Sequence, residues 1–96
     1  MAIIDLTFKN NGTRYESDPV QINTESNIGL HLEHDSKIGE VVLKQRMSGN
    51  NFAAFKSEYY NSGVYDTAIT GVVKGMYIKI ICENNPVVAQ ILIPDE

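Results

Sequence analysis

The segment His31-Leu32-Glu33-His34-Asp35 contains four side chains of the types that bind metal ions. Alternate residues of a β-strand point to the same face, so His31, Glu33 and Asp35 would share one face, with His34 opposite. Three such groups can coordinate a divalent cation, and a small metal-dependent enzyme is therefore one hypothesis. The pattern is more often a solvated strand face that runs into a polar turn. On that interpretation we expect no metal site and no cofactor.

The sequence offers little for nucleophilic catalysis. Cys82 is the only cysteine, and it falls on the apolar side of an alternating segment, where a free thiol packs as a small hydrophobic group. A single cysteine excludes an intrachain disulfide and a thiolate zinc site. Residues 71–75 lack the glycine spacing and the final Lys-Ser/Thr of a phosphate-binding loop. We predict that the protein is not an enzyme.

Three of the five tyrosines, Tyr59, Tyr60 and Tyr65, lie in or next to residues 57–63, which have no regular hydrophobic pattern and are expected to form a loop. Tyrosine combines a large apolar ring with a polar tip, which suits contacts with sugars or proteins. A carbohydrate- or surface-binding module that uses these rings is a second hypothesis. The alternative is that one or two of the rings fold back and cap the core.

Lys44 and Arg46 share one side of an alternating segment, and Lys56 is expected on the facing strand. Such a cluster can bind an acidic partner, although it is more often simply solvated. The chain as a whole has a formal net charge of −4. We expect no nucleic-acid partner, because binding to phosphates requires a positive surface.

Short β-strands are the elements that would position these side chains. Apolar and polar residues alternate with period two in several segments, at residues 4–8, 28–32, 41–47, 78–82 and 87–93. Gly- and Asn-rich turns separate them, and the count is seven to nine strands at about 8–12 residue spacing. This pattern predicts an all-β fold, an antiparallel β-sandwich of the Ig-like or jelly-roll type. Residues 1–96 fit a single domain.

The last two strands have apolar residues on both sides, because Ile81, Val88 and Leu92 oppose the faces expected to line the core. A sheet with one wet face normally alternates cleanly. Two apolar faces imply that the outer one is covered by a loop or by another chain, and we expect these three residues to lie at an interface with a protein partner. No stretch approaches the ~20 apolar residues of a membrane-spanning helix and no secretion signal is visible, so we expect cytoplasmic synthesis and no membrane partner.

Three motifs follow one another over residues 40–93. They are a strand with a Gly-x-x-aromatic hairpin ending at Gly49 and Phe52, a Gly-x-Tyr-x-Lys-Ile strand at residues 75–80, and Val88-Ala89-x-Ile91. In this order they resemble small β-sandwich accessory proteins of tailed-bacteriophage virions, of the head-decoration or auxiliary capsid type. The resemblance implies a non-enzymatic structural virion component, made in the host cytoplasm, that adheres to and reinforces the capsid or another virion part. It implies a symmetric homo-oligomer and identifies no binding residue.

Overall fold

The computed structural model describes residues 1–95, which form ten β-strands and no helix. In chain order the strands are β1 Ala2–Asp5, β2 Phe8–Asn10, β3 Tyr15–Ser17, β4 Val20–Gln21, β5 Ile28–Glu33, β6 Gly39–Arg46, β7 Ala53–Tyr60, β8 Val64–Ile69, β9 Tyr77–Cys82 and β10 Val88–Ile93. All strand pairs are antiparallel. The predicted all-β sandwich is confirmed, with ten strands where the pattern indicated seven to nine.

The strands form two sheets. The four-stranded sheet has the order β1-β10-β5-β8, and the six-stranded sheet has the order β2-β3-β9-β6-β7, with β4 also paired to β9. Among the strands of residues 1–95, only β2–β3 and β6–β7 are hairpins between consecutive strands. Most neighbours in the sheets are therefore far apart in the chain, and β9 and β10 lie in different sheets.

The core lies between the two sheets and is made by the alternate residues of the long strands. In β5, Ile28, Leu30 and Leu32 are buried, while the residues between them are only partly buried. Cys82 is fully buried in the same cluster, and burial raises the pKa of its thiol to about 12. The prediction that Cys82 packs as a core residue is confirmed.

Ser17 closes a gap in the six-stranded sheet. Both β3 and β4 pair with β9, but Asp18 and Pro19 separate them. Neither strand therefore pairs with Ile80 on this side of β9, whereas Leu43 of β6 pairs with it on the other side. The hydroxyl oxygen of Ser17 accepts a hydrogen bond from the backbone N–H of Ile80 at 2.8 Å. A side chain thus takes the place of a missing backbone partner at a buried position, which keeps the ladder along β9 satisfied.

Strand β7 is an edge strand whose inward face is polar. The prediction of a loop at residues 57–63 is wrong in its first half, since β7 runs to Tyr60, which pairs with Gly39. Lys56 points inward and donates a hydrogen bond to Thr67 of the other sheet at 2.6 Å, and it forms an ion pair with Glu58 at 3.1 Å. Polar residues on both sides of the strand explain why the sequence shows no alternation there.

Candidate functional site

The outer side of the four-stranded sheet carries three rows of side chains, set by the strand register. We name this surface the acidic face. From one end to the other, its rows are Ile3–Leu92–Gly29–Ala68, Asp5–Gln90–His31–Asp66 and Val88–Glu33–Val64. The four strands contain three carboxylates and neither lysine nor arginine. A polar, negatively charged row therefore lies between two largely apolar rows.

His31 lies at the centre of the acidic face with a carboxylate on each ring nitrogen. Its Nδ1 is 2.5 Å from Oδ1 of Asp66 on β8, and its Nε2 is 2.6 Å from Oε2 of Glu33 on its own strand. The hydrogen bonds to Glu33 and then Asp66 raise the pKa of His31, against a smaller opposing effect of burial. Two carboxylate partners fit the charged imidazolium, which donates from both nitrogens. The arrangement fixes the ring and both acids on the sheet.

The hypothesis of a metal site at His31, Glu33 and Asp35 is not supported by this geometry. Strand β5 ends at Glu33, and Asp35 lies in the bend that follows it. Asp66, from a strand more than thirty residues later, takes the place predicted for Asp35. Within residues 1–95, no group of three or more His, Cys, Asp or Glu side chains is arranged to hold a metal ion.

The apolar rows leave exposed hydrophobic surface and a shallow depression. Ile3 is 52% exposed and Val64 is 48% exposed. Gly29 has no side chain, and a depression of about 270 Å³ lies over it, lined in part by Leu92, Ala68 and Asp66. A carboxylate thus stands at the rim of an otherwise apolar recess.

The outer side of the six-stranded sheet has the opposite charge, and we name it the basic face. From β2, β3, β6 and β9, the register places on this side Lys9, Glu16, Glu40, Val42, Lys44, Arg46, Tyr77, Lys79 and Ile81. Gln21 of β4 and Ala54, Ser57 and Tyr59 of β7 lie on the same side. These include four cations and two carboxylates. Arg14, from the β2–β3 turn, adds a further cation, which pairs with Glu40 at 3.0 Å.

Phe52 folds back from the β6–β7 loop onto the basic face and contacts two cations. The guanidinium carbon of Arg46 is 5.2 Å from the Phe52 ring centre and 4.4 Å from that of Tyr77. Nζ of Lys79 is 4.6 Å from the Phe52 ring centre. Nη1 of Arg46 also donates a hydrogen bond to the Gly49 carbonyl at 2.6 Å, which anchors the loop. Cation–π contacts of this kind hold the ring in place.

The positive charge of this face is only partly neutralised. Lys79 forms an ion pair with Glu16, and the hydrogen bond from Lys79 lowers the pKa of Glu16. Lys44 lies directly opposite Lys79 in the β6–β9 register, and no ion pair involves it among residues 1–95. The expectation that Lys56 joins Lys44 and Arg46 is wrong, because Lys56 pairs with the inward-facing Leu43 and points into the sandwich.

The three tyrosines predicted to bind a ligand do not form one surface. Tyr59 is 57% exposed on the outer side of β7, where its hydroxyl accepts a hydrogen bond from Nζ of Lys37 at 2.8 Å. Tyr60, the next residue, points the other way and meets Tyr65 edge-to-face, with ring centres 5.0 Å apart. The alternative interpretation, that some of the rings fold back over the core, therefore describes Tyr60 and Tyr65.

Tyr65 is a core residue rather than a binding residue. Its side chain is 1% exposed, and desolvation raises the pKa of its hydroxyl to about 12, with Glu58 acting in the same direction. The hydroxyl lies close enough to Glu58 for this effect, although it makes no hydrogen bond of good geometry within residues 1–95. A ligand on the surface has no access to this ring.

The three predicted interface residues lie on opposite sides of the molecule. Val88 and Leu92 are on the acidic face, whereas Ile81 is on the basic face beside Val42. All three are only partly buried. Sequence reasoning missed Asp66, Phe52, Tyr77 and Lys79 as members of these faces. Phe52 carried a signal as the aromatic residue after a Gly-Asn-Asn turn, and the alternation of residues 77–82 placed Tyr77 and Lys79 on the side opposite the core.

Residues 1–95 contain no helix of the length and hydrophobicity needed to cross a membrane. No protein-family model, no curated protein and no solved structure matches this chain.

Proposed function

We propose that the protein is a non-enzymatic structural component of a tailed-phage virion, which adheres to other protein subunits of the particle through the outer faces of its sandwich. The observation that carries this proposal is the acidic face, where Ile3 and Val64 remain about half exposed on an ordered four-stranded sheet. Apolar rows on a sheet that faces water are typical of a surface used for protein contacts.

The acidic face can adhere with little loss of conformational freedom. Its rows are fixed by continuous strand pairing across four strands, and the His31 hydrogen bonds hold the charged row in place. Burial of the apolar rows would supply the affinity, at roughly 25 cal/mol per Å² of apolar area removed from water before the costs of association. In a particle with many equivalent positions, linked contacts add avidity to a weak individual contact.

The test is retention on purified particles. The chain is supplied to a phage-producing culture, particles are purified on a density gradient, and the chain is quantified by mass spectrometry. Ile3→Asp places a charge on the acidic face, and Val73→Asp makes the same change in the β8–β9 connection at an equally exposed residue, since both are 52% exposed. Wild type and Val73→Asp should co-purify with particles, and Ile3→Asp should be reduced at least tenfold. A wild-type chain that is missing from the particles would overturn the proposal.

A further inference from the structure

We infer that the acidic face binds the basic face of a second copy of this chain, so that copies join head to tail. This inference rests on the proposed structural function and names the partner. It uses both outer faces of the sandwich.

The first support is charge complementarity. The strands of the acidic face contribute Asp5, Glu33 and Asp66 and no lysine or arginine. The basic face has four cations against two carboxylates, and among residues 1–95 neither Lys44 nor Arg46 forms an ion pair with a carboxylate. Complementary surfaces steer association and fix register. Contact between two acidic faces would instead place carboxylates against carboxylates.

The second support is shape. The acidic face has an apolar depression over Gly29 with Asp66 at its rim. The basic face carries Phe52, a partly exposed aromatic side chain in contact with the cations of Arg46 and Lys79. An aromatic ring flanked by positive charges is the complement of an apolar recess flanked by a negative charge. In the proposed contact, Phe52 of one copy occupies the depression of the next.

The third support is the distribution of the remaining apolar surface. Val88 and Leu92 lie on one side of the molecule, and Ile81 lies on the other. Two unlike contact surfaces on opposite sides generate a heterologous contact, which closes into a ring or continues as a stack according to the rotation between copies. Pairing through the β7 edge is disfavoured, because Lys56 and Glu58 point inward there.

The experiment uses two variants that each damage one face. Asp66→Lys reverses a charge on the acidic face, where the Asp66 side chain is 69% exposed, and Phe52→Ala removes the ring from the basic face. Sedimentation velocity and native mass spectrometry are run on wild type, on each variant and on their equimolar mixture. Wild type should form concentration-dependent oligomers that weaken with salt. Each variant alone should associate at least tenfold more weakly.

The mixture separates a head-to-tail contact from any symmetric contact. The intact basic face of Asp66→Lys meets the intact acidic face of Phe52→Ala, so the mixture should give a 1:1 dimer and no larger species. In the other orientation, the damaged acidic face of Asp66→Lys would meet the damaged basic face of Phe52→Ala, so that contact should not form. If either variant alone assembles as wild type does, or if the mixture forms no dimer, the head-to-tail contact is overturned. Asp35→Lys, which makes the same charge change in an exposed bend, is the control and should assemble normally.

Gly29→Val provides a variant that should keep the fold. Gly29 has no positive φ, and an added Cβ would meet only Leu92 Cβ, at an ordinary 3.6 Å. Valine also favours a strand, so the thermal midpoint should not fall, while the filled depression should weaken association at least tenfold. If Gly29→Val assembles as wild type does, Phe52 does not occupy the depression over Gly29.

If wild type is monomeric at millimolar concentration yet co-purifies with particles, binding between copies is overturned while the proposed function stands.

Discussion

The acidic face and the basic face are built on the same kind of strand, yet they hold their charged side chains in different ways. On the acidic face, Asp66 reaches His31 from the paired strand β8 and Glu33 reaches it from the same strand, β5, so both contacts come from strands rather than from a loop. On the basic face, the order of Arg46 and Lys79 depends on Phe52, which comes from the β6–β7 loop. One face is fixed by strand register alone, whereas the other also requires its loop to be in place.

Ser17→Ala should give the largest loss of stability, because Ser17 lies on the inner side of the sheet whose outer side is the basic face. The Ser17 side chain is almost fully buried and satisfies the N–H of Ile80, so its removal leaves a buried donor without a partner. The expected loss is about 1–3 kcal/mol in the free energy of unfolding. Urea unfolding followed by circular dichroism measures it. Ser57→Ala, at an exposed serine on β7, is the control; equal effects of the two changes would contradict the role given to Ser17.

Arg46→Ala should release the β6–β7 loop, and with it Phe52, from the basic face. The change removes contacts to two rings and a hydrogen bond to Gly49, and we expect a loss of about 1–2 kcal/mol. The same urea titration measures it. Arg46→Lys keeps the charge but loses the planar stacking group, so it should fall between wild type and Arg46→Ala. A full recovery by lysine would show that charge alone matters at this position.

His31→Gln removes the side chain that holds the carboxylates of the acidic face. We expect a smaller loss in the free energy of unfolding, and one that depends on pH. The folded-state pKa of His31 is raised above its usual 6.5, so its stabilisation is full below that value and is lost as pH rises through the folded pKa. Because the carboxylate partners are 45% and 69% exposed, we expect less than about 1 kcal/mol.

The measurement for His31 is the free energy of unfolding of wild type and His31→Gln between pH 5.5 and pH 8.5, on either side of the usual histidine value of about 6.5. The difference should be greatest at the acid end and should shrink as pH rises. His34→Gln is the matched control, because His34 accepts a backbone hydrogen bond from Ser36 and has no carboxylate partner within residues 1–95. A difference that grows with pH would contradict the charged His31 described above.

Lys44→Gln should have the smallest effect, and it should be stabilising. Lys44 and Lys79 are directly opposite in the register, and like charges in that position repel. Removing one should raise the free energy of unfolding by about 0.2–0.5 kcal/mol at low salt, and the gain should fade as salt screens the charges. Lys74→Gln, in the β8–β9 connection, should leave the stability unchanged. A loss of stability in Lys44→Gln would contradict the repulsion.

The fold was more predictable from the sequence than the faces were. Period-two alternation depends only on local spacing, so it located the core side of β5 and β9, including Cys82. It also placed His31 and Glu33 together, because they are two residues apart on one strand. It could not predict that Asp66 contacts His31. That contact depends on the pairing of β5 with β8, which are distant in the chain, and other strands have a similar pattern.

Two other differences have local physical causes. The second half of β7 was missed because Glu58 and Tyr60 face inward at the edge of the sheet, where the usual apolar pattern is absent. Lys56 was assigned to the wrong side because its direction depends on its pairing with Leu43, next to a β-bulge between Leu43 and Lys44. The net charge of −4 also conceals the separation of charge, since opposite signs lie on opposite sides of the sandwich.

The polar inward face of β7 has a consequence for behaviour at high concentration. A bare, flat sheet edge is a template for cross-β aggregation, but pairing of a new strand with β7 would crowd the inward-pointing Lys56 and Glu58. The bulge beside Leu43 bends the same strand and further spoils its fit to a flat neighbour. Both features therefore disfavour cross-β pairing through this edge of the six-stranded sheet.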